Sequence, residues 1–491
     1  MKHKLILINP VNPSRPGLTV NRGSRFPPIS LGIVAALTPK SWSVELIDEN
    51  WDPFVFREAD LVGITAFTAS ANRAYAIAAE YRRRGIPVVM GGIHASLCVE
   101  EARQFVDAVV VGEAETIWPR LITDFETGHL QHLYRGQWAR LINTPWPRRD
   151  LFRPGYSFAS IQTSRGCPMD CEFCSVTAFN GHRYRRRPSE EVLAELATIP
   201  QRCLFFVDDN IIGYGQDSRQ QALELFKGMV KRQLNKWWFC QASLNFADDE
   251  ETLHWAGKAG CKMVFLGLEA EEGLKEMNKR LNLKRGADAY GEAFRRIHRA
   301  GIAVLGAFIF GLDGDSLESL RRRTNYILRC GVDVMQTTVL TPLPGTRLFE
   351  RYRRERRLLF PNSPTDWDHY DMTEVIYHPL GMSAESLARE MDSLNARIHS
   401  WPVLFGKAFR TFWETRNLAT TLFAWNSNLN YRNVDRRGRK PHSQRSGVEL
   451  EPPPAPRCNF QAGPSNDSSA EPQRPPDCLA KPALSCQEKP R

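Results

Sequence analysis

Short apolar runs alternate with amphipathic stretches over residues 1–125 of the chain. The apolar runs are KLILINP, SVELIDEN, ADLVGITAF, IPVVMGG and DAVVVGE, and helical patterns such as SLGIVAALTP and ANRAYAIAAEYRRRG lie between them. Apolar strands that alternate with helices form a parallel sheet with helices on both faces. The pattern therefore predicts an α/β chain that begins with a doubly wound, Rossmann-like domain over residues 1–125. A linker rich in proline and arginine follows over 126–157.

A second series of strands and helices follows over residues 158–381. Its apolar runs are FASIQTS, CLFFVDD, WWFCQAS, CKMVFLGLE, IAVLGAFIFG and VDVMQTTVLTP. Six strand–helix units predict an incomplete parallel barrel, a partial (β/α)6 version of the TIM type. Residues 382–433 have a helical and aromatic pattern, which predicts a C-terminal helical extension. The Pro-, Ser- and Arg-rich composition of residues 434–491 predicts a disordered tail.

Composition narrows the class of protein. A chain of 491 residues with 42% hydrophobic content has enough core for two or three domains. The first apolar run, LILIN, is too short for a signal peptide, and GIAVLGAFIFGL is too short for a bilayer span. These features predict a cytoplasmic protein, in which 11 cysteines would stay reduced. The net charge of +10 is spread over arginine runs mixed with acids, so nucleic acid is not the predicted partner.

Three cysteines lie together directly after the first predicted barrel strand. Cys167, Cys171 and Cys174 occur in SRGCPMDCEFCSV with the spacing C-x3-C-x2-C. A structural zinc site needs four ligands, and neither His182 nor Cys203 completes a familiar spacing. A four-iron cluster held by three thiolates keeps one iron open for a substrate or cofactor. The spacing therefore favours an iron–sulfur site, with a zinc site or a non-enzymatic metal-binding module as alternatives.

This cysteine motif, after the first strand of a partial barrel, resembles the radical S-adenosylmethionine (SAM) superfamily. The resemblance extends over about residues 160–380. It implies that Cys167, Cys171 and Cys174 bind a [4Fe-4S] cluster whose fourth iron is chelated by SAM. It also implies that an electron from the cluster cleaves SAM to methionine and a 5′-deoxyadenosyl radical. A reductant such as flavodoxin or ferredoxin would then be a partner.

The later strand ends resemble the positions that contact SAM in this family. The resemblance implies that FFVDDNI contacts the SAM amino group, that FLGLE holds the ribose hydroxyls, and that GAFIFGLDGDS lies beside adenine. Taken singly, an aspartate pair after a strand also caps helices, and a buried glutamate also forms ion pairs. The predicted SAM-binding residues are Asp208, Asp209, Asn210, Gln241, Ser243, Glu269, Phe310 and Gly311.

The first domain resembles the cobalamin-binding domain that precedes the barrel in one subfamily. RFPPISLGIVAAL, DLVGITAFTAS, VVMGGIHAS and VVVGEAE carry the resemblance. That subfamily includes class B methyltransferases and the anaerobic cyclase of bacteriochlorophyll synthesis. The carboxyl ends of a doubly wound sheet form a crevice for a large flat cofactor. Glycine permits close backbone approach there, which predicts cobalamin contacts at Gly63, Gly91, Gly92 and Gly112.

One feature of the first domain departs from many cobalamin proteins. The motif D-x-H-x-x-G, whose histidine ligates cobalt, is replaced by NPVNPSRPGL after the first strand. Some members of the radical subfamily bind cobalamin without that histidine. His94, in GGIHAS, is predicted to be a loop or core residue instead of a cobalt ligand.

The sequence therefore predicts a radical SAM enzyme that abstracts hydrogen from an unactivated carbon. The main prediction is cobalamin-dependent methyl transfer to a small-molecule or lipid substrate. The alternative is a radical cyclisation, rearrangement or oxidation without bound cobalamin. Methylthiotransferases fit less well, because their first domain supplies three cysteines and only Cys98 precedes Cys167 here.

Aromatic residues recur at helical spacing in the segment 400–433. We expect them to pack as core against the barrel or the first domain. The alternative is a basic amphipathic helix in peripheral contact with a membrane, which would suit a lipid substrate. The residues at this spacing are Trp401, Leu404, Phe405, Phe409, Phe412 and Trp413.

Overall fold

A computed structural model describes residues 3–12, 25–269 and 287–438 of the chain. Its first part is a parallel sheet of six strands in the order β2-β1-β3-β4-β5-β6. The order of strand addition reverses between β1 and β3, so the topological switch point lies outside the carboxyl ends of these two strands. The strands are β1 (Lys4–Asn9), β2 (Ser43–Asp48), β3 (Leu61–Thr65), β4 (Val88–Gly91), β5 (Ala108–Val111) and β6 (Leu133–Arg135).

Helices cover both faces of this sheet, as the doubly wound pattern predicts. Leu5 and Leu7 of β1 pack into one cluster, and Ile6 and Ile8 pack into another. The short edge strand β6 comes from the predicted linker. Three residues are too few for a recognisable pattern, and the pairing with β5 defines this strand. The helices are α1 (Ile29–Leu37), α2 (Ala71–Arg82), α3 (Gly92–Leu97), α4 (Val99–Phe105) and α5 (Trp118–Glu126).

The second sheet confirms the predicted partial barrel. Six parallel strands follow one another in chain order, and the two outermost strands do not pair with each other. A short antiparallel pair, formed by β8 (Ser164–Arg165) and β9 (Arg185–Arg186), lies at the carboxyl end of its first strand. The barrel strands are β7 (Phe158–Ile161), β10 (Cys203–Phe206), β11 (Trp237–Ala242), β12 (Cys261–Glu269), β13 (Ala303–Phe310) and β14 (Val334–Val339).

Alternate side chains of the barrel strands point outward to helices. Leu204 and Phe206 of β10 join the same buried cluster as Leu193, which lies in the helix before that strand. Trp238 stacks on Phe226 with ring centroids 5.2 Å apart. The helices are α6 (Ser175–Asn180), α7 (Ser189–Thr198), α8 (Gln216–Lys231), α9 (Glu250–Lys258), α10 (Ala287–Arg299), α11 (Leu317–Arg329), α12 (Arg347–Arg354) and α13 (Ala384–Ile398).

The amino end of the barrel is closed by the last helix. The chain ends in α14 (Trp401–Thr415) and α15 (Leu418–Gly438), and α15 contacts β12, β13 and β14. The ring of Phe423 lies 5.7 Å from that of Phe158 and 5.8 Å from that of Phe239. Phe26 approaches the same rings from the first domain. An open barrel exposes its apolar inner face, and α15 covers it at this end.

The expectation that the aromatic residues of α14 form core is wrong. Leu404 is fully buried, but the five aromatic side chains in the predicted set are exposed. The inner face of α14 instead contacts a polar cluster at the start of β14. There, Asp333 accepts hydrogen bonds from Thr411 at 2.6 Å and from His298 at 2.8 Å. Helix α14 is therefore anchored mainly by polar contacts, and its rings face outward.

The predicted boundary at residue 434 lies inside α15, which ends at Gly438. Residues 439–491, most of the predicted disordered tail, lie outside the described residues. No helix within the described ranges combines the length and the hydropathy needed to cross a bilayer.

Buried ion pairs join the first sheet to the second. Glu113, which follows β5, accepts hydrogen bonds from Arg185 at 2.5 and 2.9 Å. It also forms an ion pair with Arg165 at 3.3 Å and accepts from the amide of Ala139 at 2.6 Å. Arg165 and Arg185 are direct partners in the β8–β9 pair. We call Glu113, Arg165 and Arg185 the Glu113 cluster.

The charge balance of this cluster explains the ionisation of Glu113. Burial by itself would raise the pKa of Glu113, but the hydrogen bonds from Arg185 and the charge of Arg165 hold that pKa below its usual range. The carboxylate is therefore ionised at neutral pH. Losing it would leave Arg185 buried without this carboxylate, and Arg165 would be paired with Glu115 alone.

We expect a chain that ends at Ser400 to unfold at a lower temperature than a chain that ends at Gly438. The shorter chain lacks α14 and α15 and exposes Phe158 and Phe239 to water. Thermal unfolding followed by circular dichroism measures the difference, with the full-length chain as reference. Equal unfolding temperatures for the two truncated chains would contradict the proposed role of α15.

We expect Glu113→Gln to lower the free energy of unfolding by about 3 kcal/mol at neutral pH, because it breaks a buried ion pair on one side. Glu100→Gln is the matched control: its carboxylate is 79% exposed in a pair with Arg103, and its loss should cost under about 0.5 kcal/mol. Urea unfolding measures both. Since the folded pKa of Glu113 is lowered, its contribution is present above its ordinary pKa of about 4.3 and disappears at lower pH. A difference that persisted in acid would contradict this assignment.

Candidate active site

The β8–β9 pair closes the base of the loop that carries the three cysteines. Gly166 begins this loop with a φ of +85°, and a Cβ atom there would collide with the carbonyl oxygen of Arg183. Only glycine fits this position. Cys167, Cys171 and Cys174 are all partly buried, and all three are free thiols. The amide of Cys174 donates to the carbonyl of Cys171 at 3.1 Å, which folds the loop back on itself.

The three thiols lie close enough to influence one another. Burial is the main cause that raises the pKa of each thiol, to about 11 for Cys167. The charge of Cys174 raises the pKa of both Cys167 and Cys171. Backbone amides act in the opposite direction: that of Met169 donates toward Cys167, and that of Thr177 donates toward Cys174. Amide donors to cysteine sulfur are a feature that tunes iron–sulfur clusters.

The side chains of this loop are suited to bind an iron–sulfur cluster. Within the ranges the structure describes, no three His, Cys, Asp or Glu side chains are already closed around a metal position. The loop nevertheless presents three neighbouring free thiols, and among the described residues the charges that raise their pKa come from carboxylates and from one another, so their ionisation needs stabilisation by a positive charge. Positively charged iron would supply that stabilisation.

Asp208 fixes the strand that leads into the loop. Its Oδ1 accepts hydrogen bonds from the amide of Thr163 at 2.8 Å and from the hydroxyl of Ser164 at 2.7 Å. The amide of Ser164 and the hydroxyl of Thr163 also donate to the same oxygen. Asp208 is fully buried, and burial raises its pKa against these hydrogen bonds. Its contacts are those of a positioning residue.

Two further carboxylates lie beside the thiols. Asp209 accepts from the amide of Gly166 at 3.2 Å, and burial followed by the charge of Asp208 raises its pKa to about 6. Glu269 ends β12 with a φ of +54°, after a shift in strand register. Burial raises its pKa to about 7, and its charge raises the pKa of Cys171. The structure therefore brings Asp209 and Glu269 together with the three cysteines.

Asn210, Gln241 and Ser243 lie at the neighbouring strand ends and are hydrogen-bonded within the protein. Asn210 donates from Nδ2 to the hydroxyl of Ser243 at 3.1 Å, and its Oδ1 accepts from the amide of Gly213 at 3.1 Å. Gln241 donates to the carbonyl of Asp208 at 3.3 Å. These contacts tie the ends of β10 and β11 to each other.

Phe310 and Gly311 lie at the end of β13, and the contacts described below join them to residues outside the cysteine loop. Phe310 is buried on the helix side, with the guanidinium of Arg323 5.3 Å from its ring centre. Gly311 has a φ of +86°, and a Cβ atom there would collide with the hydroxyl of Tyr377. Its amide donates to Asp315 at 3.0 Å. The contacts with Tyr377 and Asp315 explain why this position is a glycine, without any contact to a cofactor.

Two tyrosines near the cysteines were not identified from the sequence. Tyr184 donates to the carbonyl of Asn210 at 2.7 Å, and Tyr214 lies near enough to Cys167 to feel its charge. Burial raises the pKa of both phenols to about 12, so they stay protonated. Each lies in a loop without a periodic pattern, and no motif in the sequence marks it.

The glycines of the first sheet divide into two groups. Gly91 ends β4, and the neighbouring Gly92 has a φ of +89° with no room for a Cβ atom beside Thr65. Gly112 directly follows β5 with a φ of +81°. These three lie at the carboxyl edge, as expected. The predicted position of Gly63 at a strand end is wrong: it lies mid-strand in β3, where a Cβ atom would press on Leu7.

His94 is a buried core residue, as predicted. Its Nε2 lies 2.9 Å from the hydroxyl of Tyr75 and 3.2 Å from Oε1 of Glu101. Glu101 in turn accepts from the indole of Trp367 at 2.8 Å. The imidazole is thus part of a hydrogen-bond network that joins the first domain to the segment after the barrel.

The carboxyl edges of the two sheets face each other. Helix α3, which follows β4, packs on α6, which follows the cysteine loop. Leu97 of α3 also touches Gly345, in the loop after β14. Phe67 lies in the loop that follows β3 at the switch point, and its side chain is 73% exposed. An exposed ring and a glycine-lined edge fit a large flat cofactor such as cobalamin.

Comparison with known proteins identifies both domains. Residues 16–122 match the B12 binding domain, and residues 161–327 match the radical SAM superfamily. The bacteriochlorophyllide d C-12(1)-methyltransferase of Chlorobaculum tepidum is 28% identical over 440 residues, which cover 84% of this chain and 91% of that protein. The hopanoid C-2 methylase of Rhodopseudomonas palustris is 30% identical over 360 residues, which cover 68% and 66%.

A solved structure shows the same fold. The radical SAM methyltransferase TsrM from Kitasatospora setae superposes with a TM-score of 0.65 at 17% identity, covering 89% of this chain and 98% of that one. Another structure of TsrM contains cobalamin and a [4Fe-4S] cluster. The two matched families confirm the predicted cofactors, namely SAM with a [4Fe-4S] cluster and cobalamin, over the zinc and non-enzymatic alternatives. The chain is therefore an enzyme of the radical SAM superfamily, in the branch that carries an N-terminal B12-binding domain.

Proposed function

We propose that the protein transfers a methyl group to an unactivated carbon of a small-molecule substrate. One observation carries this proposal: the cysteine loop, flanked by Asp209 and Glu269, faces the glycine-lined edge of the B12-binding sheet. When bound, the cluster supplies the electron that cleaves SAM, and cobalamin carries the methyl group. The protein's own part is to seat these groups at a fixed separation and to exclude water.

Cys167, Cys171 and Cys174 would hold the cluster in this scheme. The hydrogen bonds to Asp208 and the turn at Gly166 would keep their loop in one conformation before the cluster binds. Such preorganisation lowers the cost of ordering the ligands when the metal arrives.

Asp209 and Glu269 are the proposed anchors for SAM. SAM carries an ammonium and a sulfonium charge, and each carboxylate can accept hydrogen bonds from its ammonium or its ribose hydroxyls. Burial leaves both carboxylates only weakly acidic, with pKa values of about 6 and 7. A bound cation favours the ionised form, so SAM would strengthen its own electrostatic contacts on binding.

The Glu113 cluster would set the distance between the two cofactors. It joins the end of β5, beside Gly112, to the β8–β9 pair that closes the cysteine loop. A methyl acceptor would lie between these edges, next to the exposed ring of Phe67. Fixing this separation is what orientation requires in a reaction between three bound groups.

The second candidate is a radical cyclisation, rearrangement or oxidation without methyl transfer. The replacement of the cobalt-ligand motif by NPVNPSRPGL and the burial of His94 favour this alternative, because neither supplies an imidazole to cobalt. Both candidates need a one-electron reductant, for which flavodoxin or ferredoxin remains our prediction.

We expect Cys167→Ala, Cys171→Ala and Cys174→Ala each to lower iron per chain and to reduce SAM cleavage with dithionite to background. Losing one of the three thiolates leaves one iron of the cluster without its protein ligand. Cys203→Ala and Cys330→Ala are the matched controls, since these half-buried thiols lie in other parts of the fold. Iron content and turnover are measured on anaerobically reconstituted protein. Full activity of Cys167→Ala would contradict the ligand assignment.

We expect protein reconstituted with hydroxocobalamin to keep a corrinoid spectrum through gel filtration. With methyl-labelled SAM and a substrate, methyl transfer should yield labelled product together with S-adenosylhomocysteine and 5′-deoxyadenosine. Retained corrinoid with 5′-deoxyadenosine as the sole nucleoside product would favour the second candidate and contradict methyl transfer. Candidate substrates come from comparing metabolite and lipid extracts of a deletion strain with those of its parent.

A further inference from the structure

The last two helices present an unusually apolar outer surface. Half of the large apolar side chains that the described residues expose lie on this one helical pair, with exposed fractions of 43–69%. Patches of this kind on a folded protein mark interaction sites. We call this surface the aromatic face; it consists of Trp401, Phe405, Phe409, Phe412, Trp413, Leu418 and Leu422.

The aromatic face is continuous across α14 and α15. The two helices pack against each other after a short turn at residues 416–417. Phe405 lies 5.9 Å from Trp401 along α14 and 5.3 Å from Trp425 across the pair. Phe409 stacks on Trp413 at 6.2 Å. Rings from two helices therefore form one surface.

The orientation of α14 is the reverse of an ordinary surface helix. Its buried positions include Lys407, Thr411 and Thr415, while its aromatic rings point outward. A surface helix of a globular protein normally turns its apolar stripe toward the core. Because α14 is held by polar contacts on its inner side, its aromatic side chains are not needed to attach it to the barrel.

The aromatic face is flanked by positive charge. Glu414 is the only acid between residues 400 and 434, and it pairs with His298. The guanidinium of Arg416 lies 4.1 Å above the ring of Trp413, and that of Arg432 lies 4.4 Å above the ring of Trp401. Each end of the face thus carries a cation stacked on a tryptophan, a side-chain pair suited to the interface between lipid headgroups and acyl chains.

We propose that the aromatic face binds the surface of an anionic lipid bilayer. Aromatic and aliphatic side chains would enter the headgroup region, and the exposed Arg416 would contact lipid phosphates. The helical pair would lie on the membrane, because no described helix is fit to cross it. Pairing with a second copy is less favourable, since it would bring arginines of like charge into one interface.

The contact would be distinct from the active site. Helix α14 is attached at the start of β14, through Asp333 and the carbonyl of Val332, and α15 donates from Thr420 to Gly301 before β13. These positions lie at the amino end of the barrel, opposite the cysteine loop. The face would therefore hold the enzyme at a membrane without touching the residues that bind its cofactors.

The test compares the full chain with the triple variant Phe405→Ser, Phe409→Ser and Trp413→Ser. Sedimentation with vesicles of mixed phosphatidylcholine and phosphatidylglycerol measures the fraction bound. Removing three exposed rings should lower vesicle affinity on the order of a hundredfold. The matched control is Val55→Ser, Met372→Ser and Leu380→Ser, which changes three other exposed apolar side chains and should leave binding unaltered.

Arg416→Gln tests the electrostatic part. It should weaken binding to the mixed vesicles about fivefold, and it should leave the weaker binding to pure phosphatidylcholine unchanged. Iron content and SAM cleavage should match the unmodified protein in every variant, which separates this proposal from the proposed reaction. Equal vesicle binding by the full chain and the triple variant overturns the proposal. A full chain that does not bind vesicles, and instead forms a dimer that the triple variant loses, also overturns it. So does vesicle binding that is seen with a chain truncated at Gly438 and is not seen with the full chain.

Discussion

The buried ion pairs of Glu113 are the constraint on which the arrangement of the two sheets depends. One carboxylate at the end of β5 is shared by Arg165 and Arg185, which face each other across the short β8–β9 pair. That pair is also the base of the cysteine loop. These three charged residues therefore link the glycine-lined edge of the first sheet to the cysteine loop. In a low-dielectric junction this contact is strong only while all three members are present.

The cysteine loop is held from below by Asp208 and from its start by Gly166. Neither residue needs to touch a cofactor to matter for the reaction. Asp208 satisfies backbone and hydroxyl donors of Thr163 and Ser164, and Gly166 adopts a conformation that a side chain would exclude. Asp209 and Glu269 can then lie beside the thiols as weakly acidic carboxylates, because partial burial raises the pKa of both and the charge of Asp208 adds to the effect at Asp209.

The amino end of the barrel is covered by α14 and α15, which are attached by different kinds of contact. There α15 supplies Phe423 to the apolar inner face, and α14 is anchored through Asp333 and Thr411. Burying the polar side of α14 leaves its rings at the surface. The expectation of an aromatic core failed for this reason: helical periodicity defines two faces of a helix, but it does not say which one the protein buries.

The sequence by itself determined the two parallel α/β domains, the cysteine motif and its place after the first barrel strand, because strand–helix periodicity and cysteine spacing are local properties. Its resemblance to the radical SAM family also identified Asp209 and Glu269, at two strand ends, as candidates. Only the tertiary structure decided that Gly63 lies mid-strand, that Tyr184 and Tyr214 approach the cysteines, that Glu113 joins the domains, and that α14 turns its rings outward. Each of these depends on contacts between residues far apart in the chain, and no local pattern records which distant partner a side chain will meet.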